Sequence, residues 1–98
     1  MQESVYEEAL AHEFDLRKIR YEKQCSIGLK YKGKDVGHHR LDFLVEGKVV
    51  LEVKAAEKIS PIMEAQVLTY LNAARQRVGL LVNFSVPVLK QGIKRMIL

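Results

Sequence analysis

The chain has 98 residues, of which 48% are hydrophobic and 29% charged, so its composition is typical of a folded protein and not of a disordered one. No apolar run approaches the roughly 18–20 residues of a membrane span, and residues 1–4 lack the basic and apolar regions of a signal peptide. A net charge of +4 permits a nucleic-acid partner without demonstrating one. Cys25 is the single cysteine, which excludes an internal disulfide and predicts a cytoplasmic protein.

The first half of the chain predicts one helix followed by three strands, within a single domain over residues 1–98. Residues 2–20 carry apolar side chains at helical spacing, with Glu and Arg between them. Alternation of apolar and polar residues predicts a strand over 21–32. Two further apolar runs, 36–45 and 49–55, complete a predicted three-stranded meander.

The second half predicts a helix, a buried strand and a last helix. Ser60 is a good N-cap and Pro61 is tolerated at the first helical position, so a helix is expected from there to near Arg77. The nearly wholly apolar run 78–84 is typical of a strand covered on both faces. The region 87–97 is expected to form a helix that begins at a proline.

Two carboxylates and an amine lie on the second and third predicted strands, which are otherwise largely apolar. Asp42 and Glu52 share a face only if they pair across the hairpin, with residues 46–48 as a three-residue turn. Their Cβ atoms would then lie roughly 4.5–5.5 Å apart, where a cation relieves their repulsion. Oxygen ligands favour Mg²⁺ or Mn²⁺, and Lys54 could orient a water or stabilise phosphoryl charge. The alternative is a solvated sheet edge with cross-strand ion pairs, such as Lys54 with Asp42.

Other polar residues are placed near this site by helical spacing. Gln66 and Tyr70 lie four apart, so they share a face of the second predicted helix and could position a backbone or a phosphate. Glu3 and Tyr6 share the inward face of the first helix, where Glu3 could approach the metal. The alternatives are an ordinary helix shoulder for the first pair and a favourable interaction of Glu3 with the helix dipole.

The strand that carries Asp42 also carries two histidines and an arginine. Strict alternation places His38 and Arg40 on the face of Asp42, where they could contact substrate phosphate. It places His39 on the opposite face. Both histidines are otherwise interpreted as ordinary surface residues, since no His/Cys cluster has the spacing of a zinc site.

Taken together in this order, five segments resemble the GxxExxY family of small bacterial and archaeal proteins, within the PD-(D/E)xK nuclease superfamily. The segments are Glu3–Leu10, Arg40-Leu41-Asp42 with Leu51–Ala55, Glu64–Leu71, and Gly79–Phe84. The resemblance extends from about Glu3 to Ile97, which is nearly the whole chain. Each motif is weak alone, and their common order makes the resemblance fairly specific.

The resemblance implies a restriction-endonuclease-like fold of the α/β (α+β) class, with an αβββαβ core and a mixed sheet flanked by helices. It implies that Asp42 and Glu52 are metal ligands, with the carbonyl of Val53 as a third, and that Lys54 is the catalytic amine. Glu3 matches the helical Glu of the motif, which lies near the active site in the superfamily. Gln66 and Tyr70 match the Q-x-x-x-Y element of related nucleases.

The chain departs from the family pattern at its beginning. The Gly of the motif would fall just before Met1, and the N-terminal family helix is missing. We therefore expect apolar surface that a homodimer could cover. The short N-terminus also puts full activity in question, because a frayed end is a poor place for a catalytic Glu3.

The sequence thus predicts a metal-dependent nuclease that hydrolyses phosphodiester bonds of nucleic acid, with DNA as the expected substrate and Mg²⁺ or Mn²⁺ as cofactor. The alternative is a catalytically inactive or partner-dependent module of the same fold that binds nucleic acid or protein. The Asp42, Glu52 and Lys54 set favours the nuclease, and the missing N-terminal helix favours the alternative.

Overall fold

The computed structural model describes residues 2–85 and 92–98. The helices and strands follow in the order α1 (Glu3–Leu16), β1 (Tyr21–Tyr31), β2 (Lys34–Val45), β3 (Val49–Lys54), α2 (Pro61–Ala74), β4 (Val78–Asn83) and β5 (Ile93–Ile97). Neither helix in these two ranges has the length and apolarity that a membrane crossing requires.

All five strands form one mixed sheet in the order β1-β2-β3-β4-β5. The β1–β2, β2–β3 and β4–β5 pairs are antiparallel, and β3 and β4 are parallel. The parallel pair requires a crossover, which α2 supplies. This arrangement contains the predicted αβββαβ order, and the predicted fold class is confirmed.

The two helices pack on opposite faces of the sheet. Val50 on β3 lies in a cluster with Val67 and Leu71 of α2. The neighbouring Leu51 lies in a second cluster with Ala11 of α1. Since successive side chains of a strand point to opposite faces, β3 is covered on both sides and forms the centre of the core.

The turn between β2 and β3 fixes their register. Val45 pairs with Val49, and Lys48 donates its backbone N–H to the carbonyl of Val45 at 3.0 Å. Gly47 has a φ of +65°, the left-handed conformation that glycine adopts without strain. The three-residue turn predicted from strand parity is therefore confirmed.

The side chains of β1 and β2 do not alternate strictly between the two faces of the sheet, because the order shifts by one residue at Gln24. Lys23 bonds to Glu8 of α1, whereas Cys25 packs with the α2 cluster. Gln24 between them has a φ of +56°, so the strand turns over at that point. On β2 the same change occurs between Phe43, which contacts the α1 cluster, and Leu41, which lies in the α2 cluster. The outer part of the hairpin therefore packs against α2.

The predicted last helix is wrong where it can be compared. Residues 93–97 form strand β5, which pairs with β4 from Val78↔Ile97 to Val82↔Ile93, and the rest of that prediction, 87–91, lies outside the described residues.

The helix predicted to end near Arg77 ends at Ala74, because Arg75 adopts the left-handed conformation of a C-cap. Its predicted N-cap is confirmed, since Ser60 Oγ accepts a hydrogen bond from Met63 N at 3.2 Å.

Gly79 lets α2 approach the sheet closely. A Cβ atom at this position would lie 2.9 Å from Val67 Cγ1 and 3.2 Å from Leu71 Cδ2, both on the buried side of α2. Because the interior is close-packed and Val67 has a restricted χ1 angle, neither neighbour can give way without cost.

We expect Gly79→Ala to destabilise the protein by about 1–3 kcal/mol through overpacking, as measured by urea denaturation. Gly28→Ala is the matched control, because nothing lies within 4 Å of a Cβ atom added at Gly28. The control should change the free energy of unfolding by less than about 0.5 kcal/mol. Equal effects of the two substitutions would contradict the close approach of α2 at Gly79.

Candidate nuclease site

The candidate site lies where β2 and β3 separate. Their ladder ends at the Phe43–Leu51 pair, so Asp42 and Glu52 are opposite each other in the same register. The side chain of Asp42 takes the place of the next backbone partner, since its Oδ2 accepts a hydrogen bond from Val53 N at 2.7 Å. A gap lined by two carboxyl groups thus opens between the strands.

The backbone of Val53 faces the same gap. The N–H and the C=O of one strand residue point to the same side, and the N–H of Val53 points to Asp42. Its carbonyl oxygen is therefore directed toward Asp42 and not toward β4. The structure thus leaves the predicted carbonyl ligand on the side of the two carboxyl groups.

Glu52 is the most deeply buried acidic residue in the described ranges, with 3% of its surface exposed. Burial, followed by a hydrogen bond and the negative charge of Asp42, raises the pKa of Glu52 to about 9, against the opposing charge of Lys54. The predicted conflict between two carboxylates is therefore present. In the described part of the chain no Lys or Arg forms an ion pair with either residue, so the alternative pairing of Lys54 with Asp42 is not formed.

His39 belongs to the site, and its interpretation as an ordinary surface residue is wrong. Its Nε2 lies 2.9 Å from Glu52 Oε1, and its ring stacks on Tyr70 with centroids 3.8 Å apart and an interplanar angle of 6°. Burial lowers the pKa of His39 and outweighs the opposite effect of the Asp42 charge. Since burial also raises the pKa of Glu52, both shifts oppose the formation of an ion pair between His39 and Glu52.

Tyr70 and Lys54 also lie close to the carboxyl groups. Burial, and then the charges of Glu52 and Asp42, raise the pKa of the Tyr70 hydroxyl, which keeps it protonated as a hydrogen-bond donor. Lys54 lies two residues beyond Glu52 on the same face of β3, and its charge acts on the pKa values of both Glu52 and His39. Gln66 lies one turn before Tyr70 on α2 and is exposed.

The residues predicted from the first helix have different positions. Glu3 Oε2 accepts a hydrogen bond from Ala55 N at 3.3 Å, next to Lys54. The ring of Tyr6 instead stacks on Phe84 with centroids 4.6 Å apart, in the cluster between α1 and the sheet. Glu3 therefore borders the site, whereas Tyr6 anchors α1.

His38 and Arg40 are exposed and lie beyond the point where the hairpin turns over. They occupy the face of β2 opposite His39, because His39 contacts α2. The side chain of Asp42 does not point outward from that face as those of His38 and Arg40 do, since its carboxylate turns toward Val53 on β3. Their predicted contact with substrate phosphate stays a prediction.

Two further polar residues were missed by the sequence analysis. Glu7 lies one turn after Glu3, its Oε1 accepts a hydrogen bond from Gln24 Nε2 at 2.7 Å, and burial, followed by the charge of Asp42, raises its pKa. The i, i+4 relation to Glu3 was a signal for it. The buried Asn83 holds the loop after β3, since its Nδ2 donates to Ala56 O at 2.8 Å and its Oδ1 accepts from Ala56 N at 3.1 Å.

Comparison with protein families identifies the arrangement. A family model described as the PD-(D/E)XK nuclease superfamily matches residues 1–96. The chain belongs to the PD-(D/E)XK nuclease superfamily. Neither the curated proteins nor the solved structures searched contain a match to this chain. Nucleases of this superfamily generally use divalent metal ions, and membership implies an interaction with nucleic acid.

The donor set of this superfamily member fits a hard cation that keeps several waters. Asp42, Glu52 and the Val53 carbonyl supply oxygen ligands only, as Mg²⁺ prefers. Across residues 2–85 and 92–98, no three His, Cys, Asp or Glu side chains form a ready-made ligand group. A cation at Asp42 and Glu52 would therefore depend on the backbone carbonyl and on water, and it would offset the cost of burying two adjacent carboxyl groups.

We expect the metal-free protein to lose stability as the pH rises, because the raised pKa makes folded Glu52 hold a proton that the unfolded chain releases above its ordinary value of 4.5. The free energy of unfolding in EDTA should fall between about pH 5 and about pH 9 and then level off. Glu52→Gln, which cannot ionise, should remove this part of the slope. At pH 8 the variant should exceed the wild type by roughly 1–3 kcal/mol, since one unit of pKa is worth about 1.4 kcal/mol. Parallel urea-denaturation profiles of the two proteins would show that Glu52 ionises freely.

Proposed function

We propose that this protein is a metal-dependent nuclease that hydrolyses phosphodiester bonds of DNA, and that it belongs to the GxxExxY family within the superfamily. The observation that carries the proposal is the pair formed by Asp42 and the buried Glu52, which has no Lys or Arg ion-pair partner among the described residues. A protein that buries such a pair without a compensating cation loses stability unless a ligand binds between the two carboxyl groups.

In this proposal Asp42, Glu52 and the Val53 carbonyl would hold Mg²⁺ or Mn²⁺. A bound cation would lower the pKa of a coordinated water and would neutralise part of the negative charge on the phosphate. In hydrolysis the oxygen of a water molecule bonds to phosphorus, one P–O ester bond breaks, and a proton of that water passes to the leaving oxygen. Lys54, beside Glu52, is the cationic side chain available to orient the water or to stabilise the phosphate oxygens.

The surrounding residues keep this set in position. His39 bonds to Glu52 and is itself fixed by its stack on Tyr70, so the carboxyl group has one orientation. The Tyr70 hydroxyl, with Gln66 one turn earlier, is available to donate to a phosphate oxygen. Glu3 and Asn83 bond to the backbone directly after Lys54 and restrain the end of β3.

The homodimer and the cytoplasmic location are further parts of this proposal. Exposed apolar side chains on α1 and β5, namely Val5, Ile93 and Ile97, support the association of two chains. The single cysteine supports a reducing compartment. Light scattering on the purified protein measures the oligomeric state directly.

We expect Glu52→Gln to reduce cleavage of plasmid and single-stranded DNA in Mg²⁺ or Mn²⁺ by at least roughly 10²–10³-fold, because the variant loses a metal ligand. EDTA should abolish cleavage by the wild type. Glu13→Gln is the matched control, since Glu13 lies near the far end of α1 in an exposed ion pair with Arg17. Wild-type cleavage by the Glu52 variant would refute the assignment, and DNA binding without any cleavage would favour the inactive binding module.

We also expect Mg²⁺ or Mn²⁺ to raise the melting temperature of the wild type and of the Glu13 variant. A ligand at 100 times its Kd stabilises the folded state by about 2.7 kcal/mol, which corresponds to a shift of roughly 10–20 °C for a protein of this size. Glu52→Gln should show a much smaller shift in the same calorimetric scan. An equal shift in all three proteins would place the cation elsewhere.

A further inference from the structure

The outer part of the β1–β2 hairpin has one covered face and one free face. Cys25 and Ile27 of β1 pack toward α2, so the residues between and beyond them point the other way. We define the basic face as the residues on that outward side: Ser26, Gly28, Lys30, His38 and Arg40. All five are exposed.

The basic face carries two cationic or titratable side chains beside small residues. Arg40 lies opposite Ser26 and His38 lies opposite Gly28, whereas Lys30 lies opposite Asp35 beyond an irregularity in the strand register. Nothing lies within 4 Å of a Cβ atom at Gly28, which leaves room for another molecule to approach the sheet. The carboxylate nearest to this face is Asp35, whose Oδ1 is 3.9 Å from Lys30 Nζ in a solvated pair.

The positive charge of the hairpin lies in its outer part, whereas residues 21–45 as a whole carry a net charge of +2, because Glu22 and Asp42 outweigh Lys23 at the inner end. Residues 24–40 contain Lys30, Lys32, Lys34 and Arg40 against one carboxylate, Asp35, which is a net charge of +3 out of +4 for the whole chain. A dense set of solvated cations on an uncovered surface attracts polyanions and releases their counterions on binding. The tip adds Tyr31, which is 63% exposed and has Lys32 Nζ 5.3 Å from its ring centroid.

The basic face reaches the candidate site at Asp42, on the side of the sheet opposite His39 and Tyr70. Arg40 precedes Asp42 by two residues, a separation of about 7 Å along the strand. Gln24, which lies where the hairpin turns over, bonds to Glu7 of α1. A chain of phosphates bound along Lys30, His38 and Arg40 would therefore end beside Asp42.

We propose that the basic face binds the sugar–phosphate backbone of the nucleic-acid substrate on one flank of the bond that is cut. The proposal rests on the proposed nuclease function and adds the surface that recognises the substrate. Because phosphate contacts carry no base information, this surface binds without sequence preference. Lys30 and Arg40 supply the permanent charges, and Tyr31 lies at the exposed tip of the same hairpin.

The test measures binding separately from cleavage. Fluorescence anisotropy in EDTA, with a labelled 20-nucleotide single strand and the corresponding duplex, gives the affinity without metal-dependent cutting. The Lys30→Gln/Arg40→Gln double variant should bind roughly tenfold more weakly. The slope of log K against log salt should decrease in magnitude by about 1–2, since each lost phosphate contact removes about 0.9 for a duplex and about 0.7 for a single strand.

A matched control and a second variant make the result specific to this face. Lys18→Gln/Lys48→Gln removes the same charge from exposed positions at the opposite end of the sheet and should bind within about twofold of the wild type. Ser26→Glu adds a carboxylate opposite Arg40 and should weaken binding without removing any cation. Unchanged melting temperatures in EDTA show that the variants remain folded.

Equal binding by the Lys30/Arg40 variant and the Lys18/Lys48 control would overturn the proposal, as would the absence of binding by the wild type. Cleavage assays on the same proteins separate this proposal from the nuclease assignment. Binding that depends on the basic face, in a wild type that cuts nothing in Mg²⁺ or Mn²⁺, would support the surface and refute the nuclease. Cleavage that requires Glu52 together with unchanged binding in the Lys30/Arg40 variant would support the nuclease and refute the surface.

Discussion

The hydrogen bond from Val53 N to the carboxylate of Asp42 is the interaction on which the site depends. It replaces a backbone bond at the point where β2 and β3 would otherwise continue their ladder. A regular ladder would occupy the Val53 carbonyl and close the gap between the strands. With the side chain as acceptor, the strands can separate while the buried N–H keeps a partner, which satisfies the requirement that buried polar groups be hydrogen-bonded. The same carboxylate also acts on the protonation of Glu52 and Glu7.

The central strand of the sheet makes this arrangement rigid. Helices cover both faces of β3, and Val50, Leu51 and Val53 have at most 5% of their surface exposed. Glu52 therefore lies between buried apolar neighbours on a strand that is covered on both faces. Its carboxyl group bonds to His39, whose ring stacks on Tyr70. Burial lowers the pKa of His39, which disfavours an imidazolium ion that would compete with a metal ion for Glu52.

Much of the fold and of the site could be predicted from the sequence, because parity and turn length together determine a hairpin register. Asp42 and Glu52 could be placed opposite each other for this reason, and Ser60 could be identified as an N-cap from its local chemistry. His39 could not be placed correctly, because the alternation fails at Gln24, a residue type with no strong preference for positive φ. The packing of the hairpin on α2 decides that conformation, and such a tertiary effect leaves no local signal.

The error over residues 93–97 has a related cause. A five-residue segment with apolar, basic and apolar positions is compatible with either a helix or a strand, and only its pairing with β4 decides between them. Asn83 is similar, since a single polar residue within an apolar strand gives no indication of its hydrogen-bond partner. Its buried bonds to Ala56 require the crossover geometry, which brings the ends of two parallel strands together.

The position of the basic hairpin at the margin of the sheet has a consequence for solubility. β1 and β5 are the two edge strands, and unpaired edges can join the sheets of neighbouring molecules. Lys23 and Lys30 lie on one edge, and Lys94 and Arg95 lie on the other. Charged side chains at these positions disfavour edge-to-edge polymerisation, because stacking two such strands would bring like charges together. Lys30, which belongs to the basic face, thus also disfavours the pairing of one β1 edge with another.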